Sequence, residues 1–308
     1  MRSCVLFQNL KRWDGLNNLY SNFCTSTAES SEFHWKNFGY GDISDKQNEW
    51  ILEKKEVDQD PIWKDLTKVE VDIGIDVLSK LVTENRLKKF QEVLKSRSKG
   101  IRFVFENPAN VNNVWASLRT FDSLGIQYCD LILDPSRYIN PKKRSSMVSA
   151  LGAQKWLSIK QFENSTTCLK ELKAKGYKIA VTDISPESVP LSEVDFKSQK
   201  TAIILGNEVS GSSEEVKNGA DIRFHLPMKG FSESLNISAF CALLAGKLNA
   251  DGALSMPYGR LDNDEEKRIL LSWLAKTVPK ASTVMRHAGI DKKDNKVWPN
   301  VAGFSTKP

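Results

Sequence analysis

The sequence of 308 residues has few of the side chains that build metal centres, catalytic triads and disulfide scaffolds. Its three histidines, His34, His225 and His287, lie far apart, which argues against a histidine-based metal site or a Ser-His-Asp triad. Its five cysteines are an odd number without a C-x-x-C pair, so we expect neither a disulfide framework nor a zinc ribbon, and a reducing compartment is favoured. No apolar run approaches the roughly 18 residues of a membrane-spanning helix, which argues against an integral membrane protein.

The composition is that of an ordinary globular protein, but its charge is unevenly placed. Apolar residues make up 40% and charged residues 27% of the sequence, and the formal net charge is +6. Residues 1–75 hold 9 basic and 13 acidic side chains, whereas residues 76–308 hold 35 basic and 25 acidic ones. A basic region suits a polyanion such as RNA, although a solubilising helix surface explains the same charge.

We divide the chain into four segments. Residues 1–28 are basic, hydroxylated and poor in acids, as in a mitochondrial or plastid transit peptide, although the N terminus of a cytoplasmic protein can have this composition. Residues 29–75 are acidic and lack a sustained hydrophobic period, so we predict a poorly ordered extension. Residues 76–280 carry the predicted folded domain, and residues 281–308 are predicted to be a basic tail.

From residue 76 onwards the hydrophobic pattern predicts an α/β fold. Apolar residues at three- and four-residue steps between Val77 and Leu94 predict one amphipathic helix with a basic opposite face. Short apolar and β-branched runs then alternate with helical patterns, which predicts a parallel sheet. The predicted strands are residues 101–105, 131–133, 178–182, 201–205 and 222–226, and the predicted helices are residues 113–124, 162–175, 213–218, 235–248 and 264–276.

Three loops that follow predicted strands are candidates for chemistry, because ligands of parallel sheets bind outside the carboxyl ends of the strands. They are ENPANVNNVWASLRT at residues 106–120, LGNEVSGSSEE at residues 205–215 and LPMKGFSESLNIS at residues 226–238. In the first, Asn113 can be a helix cap and Arg119 a surface ion-pair partner, or both can border a cleft.

The acid of the second loop and the asparagine of the third lack an obvious local task. Glu208 stands between two glycines and would repel phosphate, so this loop suits a neutral or cationic ligand. Asn236 is a poor helix former at the start of a long apolar helix. A hydrogen bond into a cleft or to a neighbouring loop would explain it.

These three loops, in this order, resemble the three signature motifs of the SpoU/TrmH family of RNA ribose 2′-O-methyltransferases, of the SPOUT class. The first loop is similar to the Asn-to-Arg motif, the second to G-x-E-x-x-G-x-S, and the third to I-P-M-x-G-x-x-x-S-L-N-x-S. The likeness extends over about residues 76–280, and within the family the sequence resembles the TrmH branch, which acts on a tRNA D-loop guanosine. One departure is Ser212, which stands where the family usually has an aliphatic residue.

The resemblance implies a fold and an activity. The implied fold is an α/β parallel sheet with a deep C-terminal trefoil knot, flanked by N- and C-terminal helices, and knots are exceptions to ordinary chain topology. The implied enzyme is a homodimer that shares its active site between subunits and uses S-adenosylmethionine. No metal and no membrane association are expected, from the scarce histidines and the lack of a long apolar run. Its implied reaction is 2′-O-methylation of guanosine 18 in the tRNA D-loop. The alternatives are the same chemistry on rRNA or another tRNA position, and a catalytically silent RNA-binding subunit.

The resemblance also assigns residues. The implied catalytic and substrate-positioning residues are Asn113, Arg119, Glu208, Ser234 and Asn236. The implied cofactor pocket is lined, mostly through backbone groups, by Thr182, Leu205, Gly206, Gly211, Leu226, Met228, Ser234 and Leu235. Arg119 matches the residue credited in the family with activating the ribose hydroxyl. Because a guanidinium normally stays protonated, we expect Arg119 to stabilise the developing alkoxide rather than to accept the proton.

Basic side chains outside the three loops are predicted to bind RNA. The residues assigned to this role are Lys88, Lys89, Lys95, Arg97, Lys99, Lys142, Lys143 and Arg144. Because such contacts release counterions from the phosphate backbone, we expect the affinity for RNA to fall steeply as salt rises.

Overall fold

The computed structural model describes residues 65–134, 150 and 152–290. The predicted transit peptide at 1–28, most of the acidic extension, the basic cluster at 142–144 and the tail beyond residue 290 lie outside the described residues. No helix among the described residues is long and apolar enough to cross a membrane.

The described strands form one parallel sheet, which confirms the predicted α/β class. The strands are β1 Ser98–Glu106, β2 Ile126–Ile132, β3 Ser158–Phe162, β4 Lys178–Thr182, β5 Val189–Pro190, β6 Thr201–Leu205 and β7 Ile222–His225. Their order across the sheet is β3-β2-β1-β6-β4-β7-β5. The sequence pattern missed β3 and β5, the two strands at the edges: β3 carries two polar residues in succession, and β5 is two residues long.

Helices cover both faces of the sheet and build a separate layer beside it. They are α1 Lys68–Ser79, α2 Glu84–Lys95, α3 Val111–Ser123, α4 Ser165–Ala174, α5 Glu214–Gly219, α6 Ile237–Ala250, α7 Asn263–Thr277 and α8 Ala281–His287. Side chains alternate along β1 as a strand requires, so that Phe103 and Phe105 pack in the core with α3 and α6, whereas Val104 packs in the core with α4 and α5.

The single helix predicted between Val77 and Leu94 is wrong, because two helices cover this stretch. Helix α1 ends at Ser79, and Thr83 begins α2 by accepting a hydrogen bond from the backbone N–H of Arg86. Both helices pack on α7, so apolar residues continue at helical spacing across the break. Helix α1 also crosses the predicted domain boundary at residue 76, since Thr67 caps it with a capping box.

The predicted tail from residue 281 begins in packed structure. Helix α8 starts at Ala281, and its Met285 is buried against α1. The contact is closest at Gly74, where a Cβ atom would lie 2.8 Å from Met285 Cε and 2.9 Å from Leu271 Cδ1. The N- and C-terminal helices therefore form one helical layer, in agreement with the prediction that such helices flank the sheet.

Strand order determines where the three candidate loops meet. Strands β1 and β6 are neighbours, but the chain continues from β1 to β2 on one side and from β6 to β7 on the other. Parallel sheets bind ligands at such a point, outside the carboxyl ends of the two strands. The carboxyl ends of β1 and β6 lead into the amide loop, which we define as residues 107–110, and the glycine loop, residues 206–213. Strand β7, separated from β6 by β4, leads into residues 226–235.

Candidate active site

Three side chains from the three candidate loops form a line of hydrogen bonds. Asn113 Nδ2 donates to Glu208 Oε1 at 2.9 Å, and Asn236 Nδ2 donates to Asn113 Oδ1 at 3.0 Å. Because the amide of Asn113 donates at one end and accepts at the other, the two contacts together fix its orientation. The structure thus brings together three of the five residues that were predicted to carry chemistry.

The two outer members of the line are anchored by the backbone. Glu208 Oε2 accepts a hydrogen bond from Ala109 N at 2.7 Å, so both carboxylate oxygens contact the chain that starts α3. Asn236 is the N-cap of α6, and its Oδ1 accepts from Ser238 N at 2.9 Å. Asn236 therefore serves the helix and the neighbouring loop at once. Asn113 itself is not a cap, since Asn110 caps α3.

Arg119 and Ser234, the other two predicted catalytic residues, stand apart from this line. Arg119 is exposed on α3, six residues after Asn113, which on an α-helix is about 9 Å along the axis. Among the described residues its guanidinium has no hydrogen-bond or ion-pair partner. Ser234 is exposed as well. The structure therefore leaves the side chain of Arg119 free to contact a substrate.

Sequence reasoning missed Asn207, which closes the glycine loop. The backbone groups of Asn207 and Gly211 exchange two hydrogen bonds, at 2.9 and 3.1 Å. Asn207 Oδ1 accepts from Val209 N at 2.8 Å, the side-chain-to-backbone bond that asparagine makes in turns. Gly206 must be glycine, because a Cβ atom there would collide with Ser212 N. An asparagine beside glycine was the available signal for this turn.

The amide loop is held against the glycine loop by a second asparagine that sequence reasoning missed. Asn107 adopts a left-handed conformation with φ of 45°. Its backbone oxygen accepts from Asn207 Nδ2 at 2.5 Å, and its Oδ1 accepts from Asp134 N at 2.8 Å. These contacts fix the position of the amide loop relative to the glycine loop.

Ser212, the departure from the family pattern, has a contact that explains the hydroxyl. It is buried, and its Oγ donates to the backbone oxygen of Thr182 at 3.3 Å. An aliphatic residue here would only pack, whereas the serine links the glycine loop to the end of β4. The departure therefore changes local packing and leaves the hydrogen-bonded line intact.

The residues predicted to hold a cofactor end or follow three neighbouring strands, β6, β4 and β7. They are Thr182, Leu205, Gly206, Gly211, Leu226, Met228, Ser234 and Leu235. In the described part of the chain, the backbone groups of residues 226–235 form no hydrogen bond with other backbone groups. Just after β4, the buried Ser185 Oγ and Asp183 Oδ2 also lack partners there. The carboxyl ends of these strands thus offer hydrogen-bond donors and acceptors to a ligand.

The structure divides the described residues predicted to bind RNA. Lys88, Lys89 and Lys95 are exposed on α2, as a binding surface requires. For Arg97 the prediction is wrong, because its side chain is only 1% exposed, pairs with Asp122 and lies over the ring of Trp273. This side chain stabilises the interior.

Lys99 is likewise taken up by the fold rather than by a binding surface. Its ammonium pairs with Glu265 and Asp262 of the helical layer. Burial alone would lower the pKa of Lys99, but the two carboxylates outweigh it and raise the pKa above its ordinary value. Basic residues counted along the sequence did not separate the exposed face of α2 from the start of β1.

Comparison with known proteins agrees with this arrangement. Residues 100–245, which contain all three loops, match the SpoU rRNA Methylase family. A tRNA (guanosine(18)-2′-O)-methyltransferase of Aquifex aeolicus is 31% identical over 209 residues, which are 66% of this chain and 95% of that protein. The crystal structure of the A. aeolicus TrmH/SpoU tRNA modifying enzyme is similar with a TM-score of 0.55 and 32% identity, over 64% of this chain and 98% of that one.

A more distant relative is named for a different RNA. The 23S rRNA (guanosine-2′-O-)-methyltransferase RlmB of Acinetobacter baylyi is 28% identical over 49% of this chain and 60% of its own length. The match to the Aquifex protein extends over nearly all of that relative, with the three loops inside the matched family segment. The chain therefore belongs to the SpoU methylase family.

Proposed function

We propose that this protein transfers a methyl group from S-adenosylmethionine to a ribose 2′-hydroxyl of RNA, and that its target is guanosine 18 of tRNA. The observation that carries the proposal is the line of contacts between Glu208, Asn113 and Asn236 at the carboxyl ends of the paired strands β1 and β6. Asn113 lies on the helix that also exposes Arg119. The Aquifex relative, which is named for guanosine 18 of tRNA, supports the choice of substrate.

The residues at the carboxyl ends of β6, β4 and β7 fit S-adenosylmethionine. The backbone groups of residues 226–235 and Ser185 Oγ, which has no partner among the described residues, could take its adenosine and amino-acid groups. When bound, this cofactor supplies an electrophilic methyl group on a sulfonium cation. A glycine loop that carries Glu208 suits such a cation better than it suits phosphate.

The chain's own residues would orient the ribose and stabilise the negative charge that develops on its oxygen. The side-chain amides of Asn113 and Asn236 each carry two N–H groups, and the line of contacts uses one of each. The remaining N–H groups can hold the ribose in place. Arg119, with five donors and a permanent charge, would stabilise the alkoxide as the hydroxyl proton leaves.

The test is incorporation of tritiated methyl groups into an unmodified tRNA transcript. We expect transfer by wild type and a loss of 100-fold or more in Arg119→Ala, on the order of the effect of removing one charge-stabilising donor. Arg260→Ala is the matched control, because Arg260 is also exposed but lies on the segment before α7. Full activity of Arg119→Ala would refute the assigned mechanism.

Two alternatives are separated by further measurements. The relative named for 23S rRNA makes rRNA the second candidate substrate, and methylation mapping in a deletion strain shows which nucleotide loses its mark. A silent RNA-binding subunit is the third candidate. It predicts no binding of S-adenosylmethionine in calorimetry, whereas the enzyme requires it.

We further propose the trefoil knot and the homodimer that are typical of the family. The knot is proposed from membership of the family, and the strand order, with β6 between β1 and β4 and β7 between β4 and β5, is compatible with it. Two exposed leucines support a subunit contact: Leu235, just before the N-cap of α6, and Leu243 within that helix. Light scattering should give twice the chain mass of 34.7 kDa, and Leu243→Glu should lower it; a monomeric wild type would refute the dimer.

We also propose that residues 1–28 direct the chain to a mitochondrion or plastid, since their composition is basic, hydroxylated and poor in acids. Sequencing the N terminus of the mature protein tests this. Recovery of an uncleaved N terminus from a cytoplasmic fraction would refute it.

A further inference from the structure

Glu106, the last residue of β1, is a buried acid to which the sequence analysis assigned no role. Glu106 is 2% exposed, and its carboxylate accepts three hydrogen bonds. Oε1 accepts from Ser165 Oγ at 2.8 Å and from Ser213 Oγ at 2.5 Å, and Oε2 accepts from Ser213 N at 2.9 Å. A buried carboxylate is costly unless such donors satisfy it, so this arrangement needs a reason.

The three bonds join the end of one strand to the starts of two helices. Ser165 is the first residue of α4, and Ser213 is the N-cap of α5. The Ser213 hydroxyl donates to Glu106 while it accepts from Val216 N at 3.3 Å. Glu106 therefore fixes the residue at which the glycine loop ends, and the other end of that loop is fixed by β6.

The amide loop starts at the very next residue, so one carboxylate controls both loops. Asn107 follows Glu106 directly and accepts a hydrogen bond from Asn207. Two residues later, Ala109 N donates to Glu208 Oε2 at 2.7 Å. A shift of Ser213 relative to Glu106 would move Glu208 relative to Ala109 and Asn113.

We propose that Glu106 is a positioning residue for methyl transfer. Its carboxylate holds the amide loop and the glycine loop in the relative position in which Glu208 contacts Ala109 and Asn113. The kinetic consequence rests on the proposed function, whereas the effect on the two loops does not.

Glu106→Gln tests the proposal, because it keeps the size of the side chain but replaces the carboxylate, whose hydrogen bonds to three donors are charge-assisted, with a neutral amide that has one acceptor oxygen. We expect kcat to fall about 10- to 100-fold, since a misplacement of about 1 Å in an active site has effects of this size. The KM for tRNA should change by less than about twofold, because the exposed lysines of α2 lie on a different element. Hydrogen exchange in peptides that cover residues 107–113 and 206–213 should become faster.

Two serine variants supply the matched control. Ser165→Ala and Ser213→Ala each remove one hydroxyl that donates to Glu106 Oε1. Ser165→Ala loosens only α4, so kcat and exchange in both loops should stay within twofold of wild type. Ser213→Ala should repeat the changes of Glu106→Gln, and Ser213→Thr, which keeps the cap and the donor, should restore wild-type behaviour.

The proposal is overturned if Glu106→Gln keeps the kcat and the exchange rates of wild type, or if Ser165→Ala impairs kcat as strongly as Ser213→Ala. If Glu106→Gln does not fold, the comparison of the alanine and threonine variants at Ser213 decides. If wild type transfers no methyl group, the proposed function fails. Hydrogen exchange then decides alone, and unchanged exchange in Glu106→Gln refutes the positioning role.

Discussion

Replacing Asn236 by aspartate should separate its two tasks, capping a helix and ordering the site. Aspartate caps helices about as well as asparagine, so the bond that Asn236 Oδ1 accepts from Ser238 N is retained. The other side-chain atom changes from a donor to an acceptor, and it faces Asn113 Oδ1, which accepts at 3.0 Å in wild type. We therefore expect a protein that folds normally and acts poorly.

The geometry shows that Asn113 cannot compensate by itself. If Asn113 keeps its orientation, its oxygen faces the new carboxylate. If its amide turns over, the oxygen faces Glu208 instead, whose Oε1 accepts at 2.9 Å in wild type. One hydrogen bond of about 1 kcal/mol is lost either way, with a repulsion added, so transfer should slow at least about tenfold.

The matched variant is Asn236→Ala, which removes the cap as well as the hydrogen bond to Asn113. It should cost about 2 kcal/mol of folding free energy, a fall in Tm of roughly 4–8 °C for a domain of this size, whereas Asn236→Asp, which keeps the cap, should lose only about half of that. Calorimetry measures the melting, and single-turnover methyl transfer measures the rate. If Asn236→Asp keeps more than half of the wild-type rate, the line of contacts does not order the site.

A double variant reverses the direction of the line. In Glu208→Gln combined with Asn236→Asp, a turned Asn113 can donate to the aspartate and accept from the glutamine amide, while the glutamine oxygen still accepts from Ala109. We expect the double variant to be more stable than the sum of the single effects allows, by about 0.5–1 kcal/mol. Strictly additive effects would refute the hydrogen-bond reasoning.

Three further predictions concern packing, a buried charge and RNA. Gly74→Ala should lower the free energy of unfolding by about 1–3 kcal/mol because its Cβ would crowd Met285, whereas Gly246→Ala, in an exposed turn of α6 with open space, should raise it by about 0.5–1 kcal/mol, as denaturant melts will show. Burial lowers the pKa of the Lys276 ammonium to about 8. The unfolded chain therefore binds more protons than the folded protein between pH 8 and 10.5, and the stability of wild type should rise with pH across that window. Lys276→Met should lack this rise and should be more stable than wild type by about 1 kcal/mol at pH 7. Equal pH dependence of the two proteins would contradict this. Alanine at exposed Lys88 and Lys95 should weaken tRNA binding. The slope of the logarithm of the binding constant against the logarithm of the salt concentration should fall by about 1 for each phosphate that the lysine neutralises in wild type. Filter binding at several salt concentrations measures this slope.

How much the sequence predicted depends on how far apart the interacting residues lie. Glu208 and Asn236 were recognisable as candidates because neither had a sufficient task within its own loop. The contacts of Glu106 with Ser213 and of Asn207 with Asn107 were missed because 107 and 100 residues separate the partners, and only the pairing of β1 with β6 brings them together. Local patterns describe a loop, whereas the alignment of two loops is a property of the sheet.

Charge was misread for a related reason. The basic residues near α2 looked alike in sequence, but Arg97 stands just beyond the helix, where the chain turns inward to start β1. There its guanidinium finds Asp122 and the ring of Trp273, partners that come from helices on either side. Helical periodicity would have found the exposed lysines, but it could not show where the helix ends and the interior begins.

The site combines a rigid half with a free one, and this division suits a histidine-poor methyltransferase. Asn113 and Glu208 are fixed by each other and by the backbone, so they are ordered before any substrate arrives. The guanidinium of Arg119 has no partner among the described residues, and its side chain must lose conformational freedom worth up to about 2 kcal/mol when it engages the ribose. A phosphate beside the target nucleotide can offset that cost by pairing with the guanidinium. We therefore expect a free nucleoside, which lacks the phosphate, to be a far poorer substrate than tRNA even at saturating concentration.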